Sequence, residues 1–106
     1  MDFVRYDPAT AQPLPGGTNA TYAPVRKNDK LAAMVVNLDR RGDTGKREMP
    51  VDTILIAVSG EGRCRSGGAI ADLKAGDIAI LTGGMIHQIW TADSTLRVVL
   101  MDLTVG

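Results

Sequence analysis

The only histidine of the chain, His87, follows the glycine pair Gly83-Gly84 at the start of a short apolar segment. The pattern predicts a strand, a glycine turn and a second strand that opens on an imidazole. An imidazole placed there can point into the mouth of a barrel, where ligand chemistry is usually found. Two interpretations remain open. His87 is a catalytic acid or base, or it is hydrogen-bonded to Thr53 or Thr91 inside a filled barrel.

A fixed cation, Arg47, lies at the end of the polar segment 40–47. A planar guanidinium can hold a carboxylate or a phosphate through two parallel hydrogen bonds. If Arg47 points inward, it places this anion clamp beside the titratable His87. The alternative is that Arg47 continues a solvated charge run with its neighbour Lys46.

The single cysteine, Cys64, lies between Arg63 and Arg65. Because side chains alternate along a strand, the arginines are predicted to face water and the thiol the interior, where it packs as a small apolar group. One cysteine cannot form an internal disulfide, and a free thiol fits a reducing compartment. A soft-metal site built from Met49, Cys64 and His87 is a further alternative that the sequence leaves open.

The composition limits both size and partners. The chain has 106 residues, of which 44% are hydrophobic and 23% charged, enough for one compact domain and not for two. The basic and acidic side chains number 12 each, so no long-range field favours nucleic acid or an anionic membrane surface. The first residues carry neither a basic start nor a continuous apolar run. No signal peptide or membrane span is therefore expected, and the cytoplasm is the predicted location.

The elements that must position these groups are short strands. Turn signals separate apolar runs with β-branched residues at 31–38, 53–59, 77–82, 86–90 and 96–103. This spacing predicts an all-β sandwich or barrel, and no segment carries the 3.6-residue apolar stripe of a helix. Residues 31–106 are predicted to form the barrel. Residues 1–30 are predicted to add an N-terminal strand and an irregular arm, at 9–17, to the same single domain.

Two of the predicted strands are apolar on both sides. Almost every residue of 53–58 is apolar, and the run 96–103 is interrupted only by Arg97 and Asp102. Such a strand is covered on both faces, by the barrel interior and by a second sheet or subunit. The pattern therefore predicts a homodimer. Trp90 is expected to face away from the interior, at an intersubunit contact.

The spacing around His87 resembles the second conserved motif of the cupins. It runs Gly76, five residues, Thr82, one residue, Gly84, two residues, His87. The cupin motif has proline at the place of Thr82 and asparagine at that of Thr91. The resemblance covers roughly residues 31 to 103 and implies an all-β fold, the cupin-type jelly-roll β-barrel or double-stranded β-helix.

The upstream segment 47–53 is similar to the first cupin motif, and Gly60 follows it after six residues. In metal-binding cupins, two histidines and a glutamate of this motif hold a divalent transition metal together with the histidine of the second motif. The corresponding positions here are Arg47, Met49, Thr53 and His87. An arginine has no lone pair to give, threonine is a poor ligand, and methionine suits soft ions. The resemblance therefore implies a barrel with no metal and no other cofactor.

These observations predict a ligand pocket inside the barrel. Its walls are expected to come from Met34, Val36, Met49, Leu55, Ile78 and Ile89, with Arg47, Thr53 and His87 as polar groups. The predicted function is the binding of a small, partly apolar, anionic organic ligand without the usual cupin metal. The alternative is a small metal-independent isomerase, epimerase, cyclase or dehydratase. In that case His87 is the general acid or base and Arg47 orients an anionic substrate, as metal-free members of the cupin superfamily act on sugars and polyketides.

Overall fold

The computed structural model describes residue 1 and residues 3–103. In this part of the chain the backbone forms nine strands, and its one helical segment is the 3-10 turn Pro8–Thr10. The strands are β1 (Gln12–Pro13), β2 (Thr18–Lys27), β3 (Leu31–Asp43), β4 (Arg47–Glu48), β5 (Thr53–Ser66), β6 (Ala69–Lys74), β7 (Ile78–Leu81), β8 (Ile86–Trp90) and β9 (Leu96–Leu103). No helix in the described range is long and apolar enough to cross a membrane. The prediction of an all-β fold almost without helix is confirmed.

The strands form two facing sheets that share β5. One sheet runs in the order β1, β2, β3, β9, β5 and ends with β7 on the other side of β5. The second contains β4, β8, the end of β5, and β6. The end of β3 joins the two, because Asp43 pairs with Trp90 of β8. All these pairings are antiparallel, and together they build the predicted jelly-roll barrel.

The 14-residue strand β5 passes from one sheet to the other near Gly60. Its first half pairs with β7 and β9, and its second half with β6 and β8. The ladder with β9 shifts register between Ala57 and Ser59. Gly60 has a φ of 85°, and a side chain there would overlap the carbonyl oxygen of Thr95. Glycine fits this place because it has no Cβ.

The core lies between the two sheets. Its largest fully buried side chains are Leu38, Leu55, Leu96, Val36 and Val98. Cys64 is 4% exposed and belongs to the same cluster, so the predicted inward direction of its thiol is confirmed. Burial raises the pKa of this thiol because the thiolate would lose its hydration, and a hydrogen bond with the Ala71 backbone opposes the shift.

The N-terminal part differs from the expected order of strand and arm. Residues 3–7 form no strand, and the arm 9–17 contains most of the 3-10 turn and the short β1. The strand of this part is β2, which follows the arm and pairs with β3 along most of its length. Because β2 lines up beside β3, β3 continues beyond the predicted residue 38 to Asp43.

The outer side of the first sheet carries exposed isoleucines. Along β5 the odd-numbered positions of 53–57 are buried, whereas Ile54 and Ile56 are half-buried. Ile80 and Ile78 of β7 pair with these two residues and are 67% and 68% exposed. We call these four residues the isoleucine face. The barrel therefore covers one side of β5, and cover of the other side by a second subunit stays a prediction.

Candidate ligand site

A cavity of about 70 Å³ lies between the two sheets. This volume lies below the roughly 300–1,000 Å³ usual for small-molecule pockets, so it suits a short ligand. Its lining comes from both sheets and the N-terminal arm: Leu14, Met34, Val36, Thr44, Arg47, Met49, Thr53, Leu81, His87, Gln88, Ile89, Leu100 and Asp102. A mostly apolar pocket with a few convergent polar groups is the usual form of a small-molecule site.

Arg47 and His87 project from neighbouring strands to the same side. They are directly opposed in the antiparallel pair of β4 and β8, and opposed residues of such a pair share a face. His87 is 6% exposed, Arg47 is half-buried, and both line the cavity. A guanidinium and an imidazole therefore meet at one wall of the cavity.

The imidazole of His87 is anchored by the turn that precedes its strand. Its Nε2–H donates to the carbonyl oxygen of Thr82 at 2.7 Å. In the neutral ring this leaves a lone pair on Nδ1, which has no hydrogen-bond partner among the described residues. Thr53 and Thr91, the partners named in one of the two interpretations of His87, donate to other groups. In that interpretation the partner is wrong, because the imidazole donates to a backbone carbonyl, which no motif reveals.

The guanidinium of Arg47 ties the arm to β4. Its Nε–H donates to the carbonyl oxygen of Thr44 at 3.1 Å, and Nη2 donates to that of Pro15. These bonds use two of the five N–H groups, so three remain for a ligand. Within the described part of the chain no carboxylate lies at ion-pair distance from Arg47. Whereas the neighbouring Lys46 is exposed, Arg47 reaches the cavity.

The wall beside Arg47 is held by further hydrogen bonds. The Thr44 backbone N–H donates to the carbonyl oxygen of Ile89 at 2.9 Å, and the Ile89 N–H donates to Thr44 Oγ1 at 3.0 Å. The carboxylate of Asp43 accepts from the Gln88 side chain at 3.0 and 3.1 Å. These contacts fix the backbone just before β4 and thereby the direction of the guanidinium.

The first sheet contributes a hydroxyl and a carboxylate to the cavity. Thr53 and Asp102 are directly opposed on β5 and β9. Thr53 Oγ1–H donates to Asp102 Oδ1 at 2.5 Å. Thr53 is 4% exposed, Asp102 is half-buried, and both line the cavity. The one sequence signal for this carboxylate was an acidic residue inside the apolar run 96–103.

The six residues predicted to bind a ligand all line this one cavity: Arg47, Met49, Thr53, His87, Met34 and Val36. Of the other expected wall residues, Ile89 lines the cavity and Leu55 lies in the core without lining it. The prediction for Ile78 is wrong, because alternation along β7 turns Leu81 inward and Ile78 outward. Sequence reasoning missed Leu14, Thr44, Leu81, Gln88, Leu100 and Asp102.

The four residues that the sequence resemblance aligns with the cupin metal ligands do not fit a divalent metal ion. The guanidinium of Arg47 has no lone pair and would repel a cation beside it. The hydroxyl of Thr53 already donates to a carboxylate, and His87 supplies a single nitrogen. Among the described residues no group of three or more His, Cys, Asp or Glu side chains is placed to hold a metal. Cys64 does not line the cavity that Met49 and His87 share, so the soft-metal set is not brought together.

Known proteins place this arrangement in a family. The AraC-like ligand binding domain family matches residues 53–105, half of the chain. The chain belongs to this family. The matched part of this AraC-like domain contains Thr53, His87 and Asp102, and thus polar groups from both sheets of the cavity. No curated protein matches the chain significantly.

Solved structures show the same fold for this AraC-like domain. A cupin 2 conserved barrel domain protein from Salinispora arenicola has a TM-score of 0.81 at 20% identity, covering 97% of this chain and 88% of that one. The polyketide cyclase RemF from Streptomyces resistomycificus has a TM-score of 0.78 at 13% identity, covering 96% and 80%. KdgF from Halomonas sp. has 0.76 at 19% identity, covering 91% and 88%. Identities this low show the fold alone, and the resemblance to a small single-domain cupin is confirmed.

Proposed function

We propose that this domain is a binding module whose cavity holds a small, partly apolar, anionic organic ligand without the usual cupin metal. The observation that carries the proposal is the place of Arg47, a half-buried cation at an apolar cavity with no carboxylate partner in the described part of the chain. Arginine stays protonated in proteins, and a charge taken out of water needs a counter-charge. A ligand carboxylate or phosphate supplies it through two parallel hydrogen bonds.

The rest of the lining supports an apolar ligand body. Met34, Val36 and Met49 turn their side chains to the cavity, and burying apolar ligand surface against them contributes about 25 cal/mol per Å². The flexible thioethers of methionine adapt to irregular shapes. Membership in a family described as a ligand binding domain agrees with this function.

The absence of a metal is part of the proposal. Arg47, Met49 and Thr53 stand where the metal-binding cupins have ligands, so the first motif is a degenerate form of that site. Elemental analysis of protein purified without added metal is expected to find far less than one transition-metal ion per chain. A stoichiometric ion would overturn this part of the proposal.

A second candidate function is supported by the free nitrogen of His87. With Nε2–H held by Thr82, Nδ1 is placed to take a proton from a substrate that Arg47 orients, as a metal-independent isomerase, epimerase, cyclase or dehydratase requires. One solved structure of the same fold is described as a polyketide cyclase. Incubation with short carboxylates in heavy water tests this function by wash-in of deuterium at the α-carbon. The enzyme function requires wash-in that His87→Ala abolishes, and wash-in that survives the substitution rules out His87 as the base.

Calorimetric titration with pentanoate tests the binding function. Wild-type protein is expected to bind it, and Arg47→Gln to weaken binding by at least about tenfold, since a charge-assisted hydrogen bond is lost. Arg47→Lys keeps the charge but cannot make the two parallel hydrogen bonds, and its affinity is expected to lie between those of wild type and Arg47→Gln. Arg40→Gln, at an exposed arginine in the same charge run, is the control and is expected to bind as wild type. Equal affinity of wild type and Arg47→Gln, or no binding of any short monocarboxylate, would contradict the proposal.

The same proposal includes assembly and location. Two copies pack through the isoleucine face, because large apolar side chains more than half exposed in one chain, such as Ile78 and Ile80, favour burial against a partner. The domain acts in the cytoplasm, where a free buried thiol such as Cys64 stays reduced.

A further inference from the structure

The cavity is lined by the carboxylate of Asp102, which neither the anionic group nor the apolar body of the proposed ligand would contact favourably. Asp102 Oδ1 accepts the Thr53 hydroxyl at 2.5 Å. The Asp102 carboxylate makes no other hydrogen bond or ion pair within the described residues. One carboxylate oxygen, Oδ2, is therefore left to accept a hydrogen bond from whatever occupies the cavity.

This carboxylate and the Arg47 cation stand on different sheets. Asp102 and Thr53 belong to the ladder of β9 with the first half of β5, whereas Arg47 and His87 belong to β4 and β8. Both pairs line the same cavity, whose remaining surface is mostly apolar. The cavity thus has a cationic wall and an acidic wall.

The two walls select different groups of a ligand. At a low effective dielectric, a second anionic group near Asp102 would be repelled by several times the energy found in water. A hydroxyl or an ammonium group would instead donate to the free oxygen. The cavity volume of about 70 Å³ suits a short ligand.

We infer that the ligand is a short carboxylate with a hydrogen-bond donor at its far end, a hydroxyl or an ammonium group. The carboxylate lies against Arg47, and the donor is held by Asp102, which Thr53 orients. This inference rests on the proposed function, because it takes the anionic end at Arg47 as given.

Calorimetric titration with matched ligands tests the inference. The probes are γ-hydroxybutyrate, γ-aminobutyrate, pentanoate and succinate, in which the far group is a hydroxyl, an ammonium, a methyl or a second carboxylate. Wild-type protein is expected to prefer one or both donor ligands over pentanoate by about tenfold, as one charge-assisted hydrogen bond allows. Pentanoate is expected to bind more tightly than succinate.

Two substitutions assign the preference to Asp102. Asp102→Leu is expected to abolish the preference over pentanoate. Asp102→Asn keeps the acceptor for the Thr53 hydroxyl, removes the charge and is expected to raise the affinity for succinate, a gain that misfolding cannot produce. Asp72→Leu, at an outer-surface carboxylate that is 75% exposed and pairs with Arg63, is the control and is expected to match wild type.

The outcomes separate the inference from the function on which it rests. If pentanoate binds through Arg47 but both donor ligands bind no more tightly than pentanoate, the inference fails and the proposed function stands. A donor preference that persists in Asp102→Leu also overturns the inference. If no carboxylate binds, both the inference and the proposed function fail. A preference for the hydroxyl alone or for the ammonium alone identifies the donor.

Discussion

The two faces of the first half of β5 are both largely apolar, but the fold of one chain buries only one of them. On the inner side Leu55 is fully buried and Thr53 is 4% exposed, and the barrel closes around them. On the outer side Ile54 and Ile56 lie next to isoleucines of β7 that are about two-thirds exposed. The inner side therefore builds a core and one wall of the cavity, while the outer side is suited to contact another molecule. Because side chains alternate along a strand, the two faces of β5 have different surroundings, although their amino-acid compositions are similar.

The largest expected effect is a difference in unfolding free energy between substitutions on the two faces of β5. Leu55→Ala is expected to lower the free energy of unfolding by about 2–5 kcal/mol, because it leaves a cavity in a packed core. Val58→Ala, on the outer side where the side chain is 50% exposed, is expected to change it by no more than about 0.5 kcal/mol. Chemical denaturation of the two variants measures the difference. Similar losses for both would show that the outer side is as closely packed as the inner one.

The isoleucine face is tested by charge. The double substitution Ile78→Lys and Ile80→Lys is expected to raise the dimer dissociation constant by about 100-fold, since it places desolvated charges in an apolar contact. The far-ultraviolet circular dichroism spectrum is expected to be unchanged. Ile70→Lys, at an isoleucine of β6 that is 51% exposed, is the control. Light scattering after size exclusion gives the masses, and a monomeric wild type would refute assembly through this face.

The hydrogen bond between Thr53 and Asp102 offers a smaller test on the inner side. Thr53→Val keeps the shape of the side chain and removes the only donor to Asp102 Oδ1 among the described residues. It is expected to lower the free energy of unfolding by about 1–3 kcal/mol, the usual effect of leaving a partly buried acceptor unpaired. Ile54→Val, on the other side of the strand, is the comparison and is expected to lose less. Urea denaturation checks both, and an unchanged midpoint for Thr53→Val would show that Asp102 is fully hydrated.

The smallest expected effect is a change in alkaline stability. Burial raises the pKa of the Cys64 thiol, so the folded protein keeps this proton at a pH where the unfolded chain has lost it. The contribution to stability is complete below about pH 8.5, the usual value for a thiol, and is lost as the pH rises through the raised pKa. Cys64→Ala is expected to remove a slope of at most about 1.4 kcal/mol per pH unit in this range. Unfolding free energies of both proteins from pH 8 to 10 measure it, and parallel curves would contradict the expected shift.

Local patterns were sufficient to predict much of this fold. Turn residues at short intervals mark the ends of strands, and alternation fixes which side chains of a strand point inward, as it did for Cys64. The resemblance of segment 47–53 and of the segment ending at His87 to the two cupin motifs implied that Arg47 and His87 lie together, and the structure opposes them on β4 and β8. Such features depend on neighbours in sequence or on a spacing that many chains share.

The features that were missed depend on contacts between distant strands. Asp102 meets Thr53 across 49 positions of sequence, and only the register of β5 with β9 reveals the pair. The partner of His87 is a backbone carbonyl, which every residue carries and no motif marks. Ile78 was placed on the wrong side because one apolar residue at a strand start is compatible with either direction until the pairing with Ile56 is known.

The passage of β5 between the sheets at Gly60 makes the length of this strand as critical as its composition. One residue inserted just before Gly60 would turn over every side chain of the second half relative to the first. Cys64 would then point outward, and Arg63 and Arg65 would enter the core, where unpaired charges are far more costly than a missing methyl group. Natural variants of this domain are therefore expected to differ in length in their turns, while the number of residues from Thr53 to Ser66 stays constant.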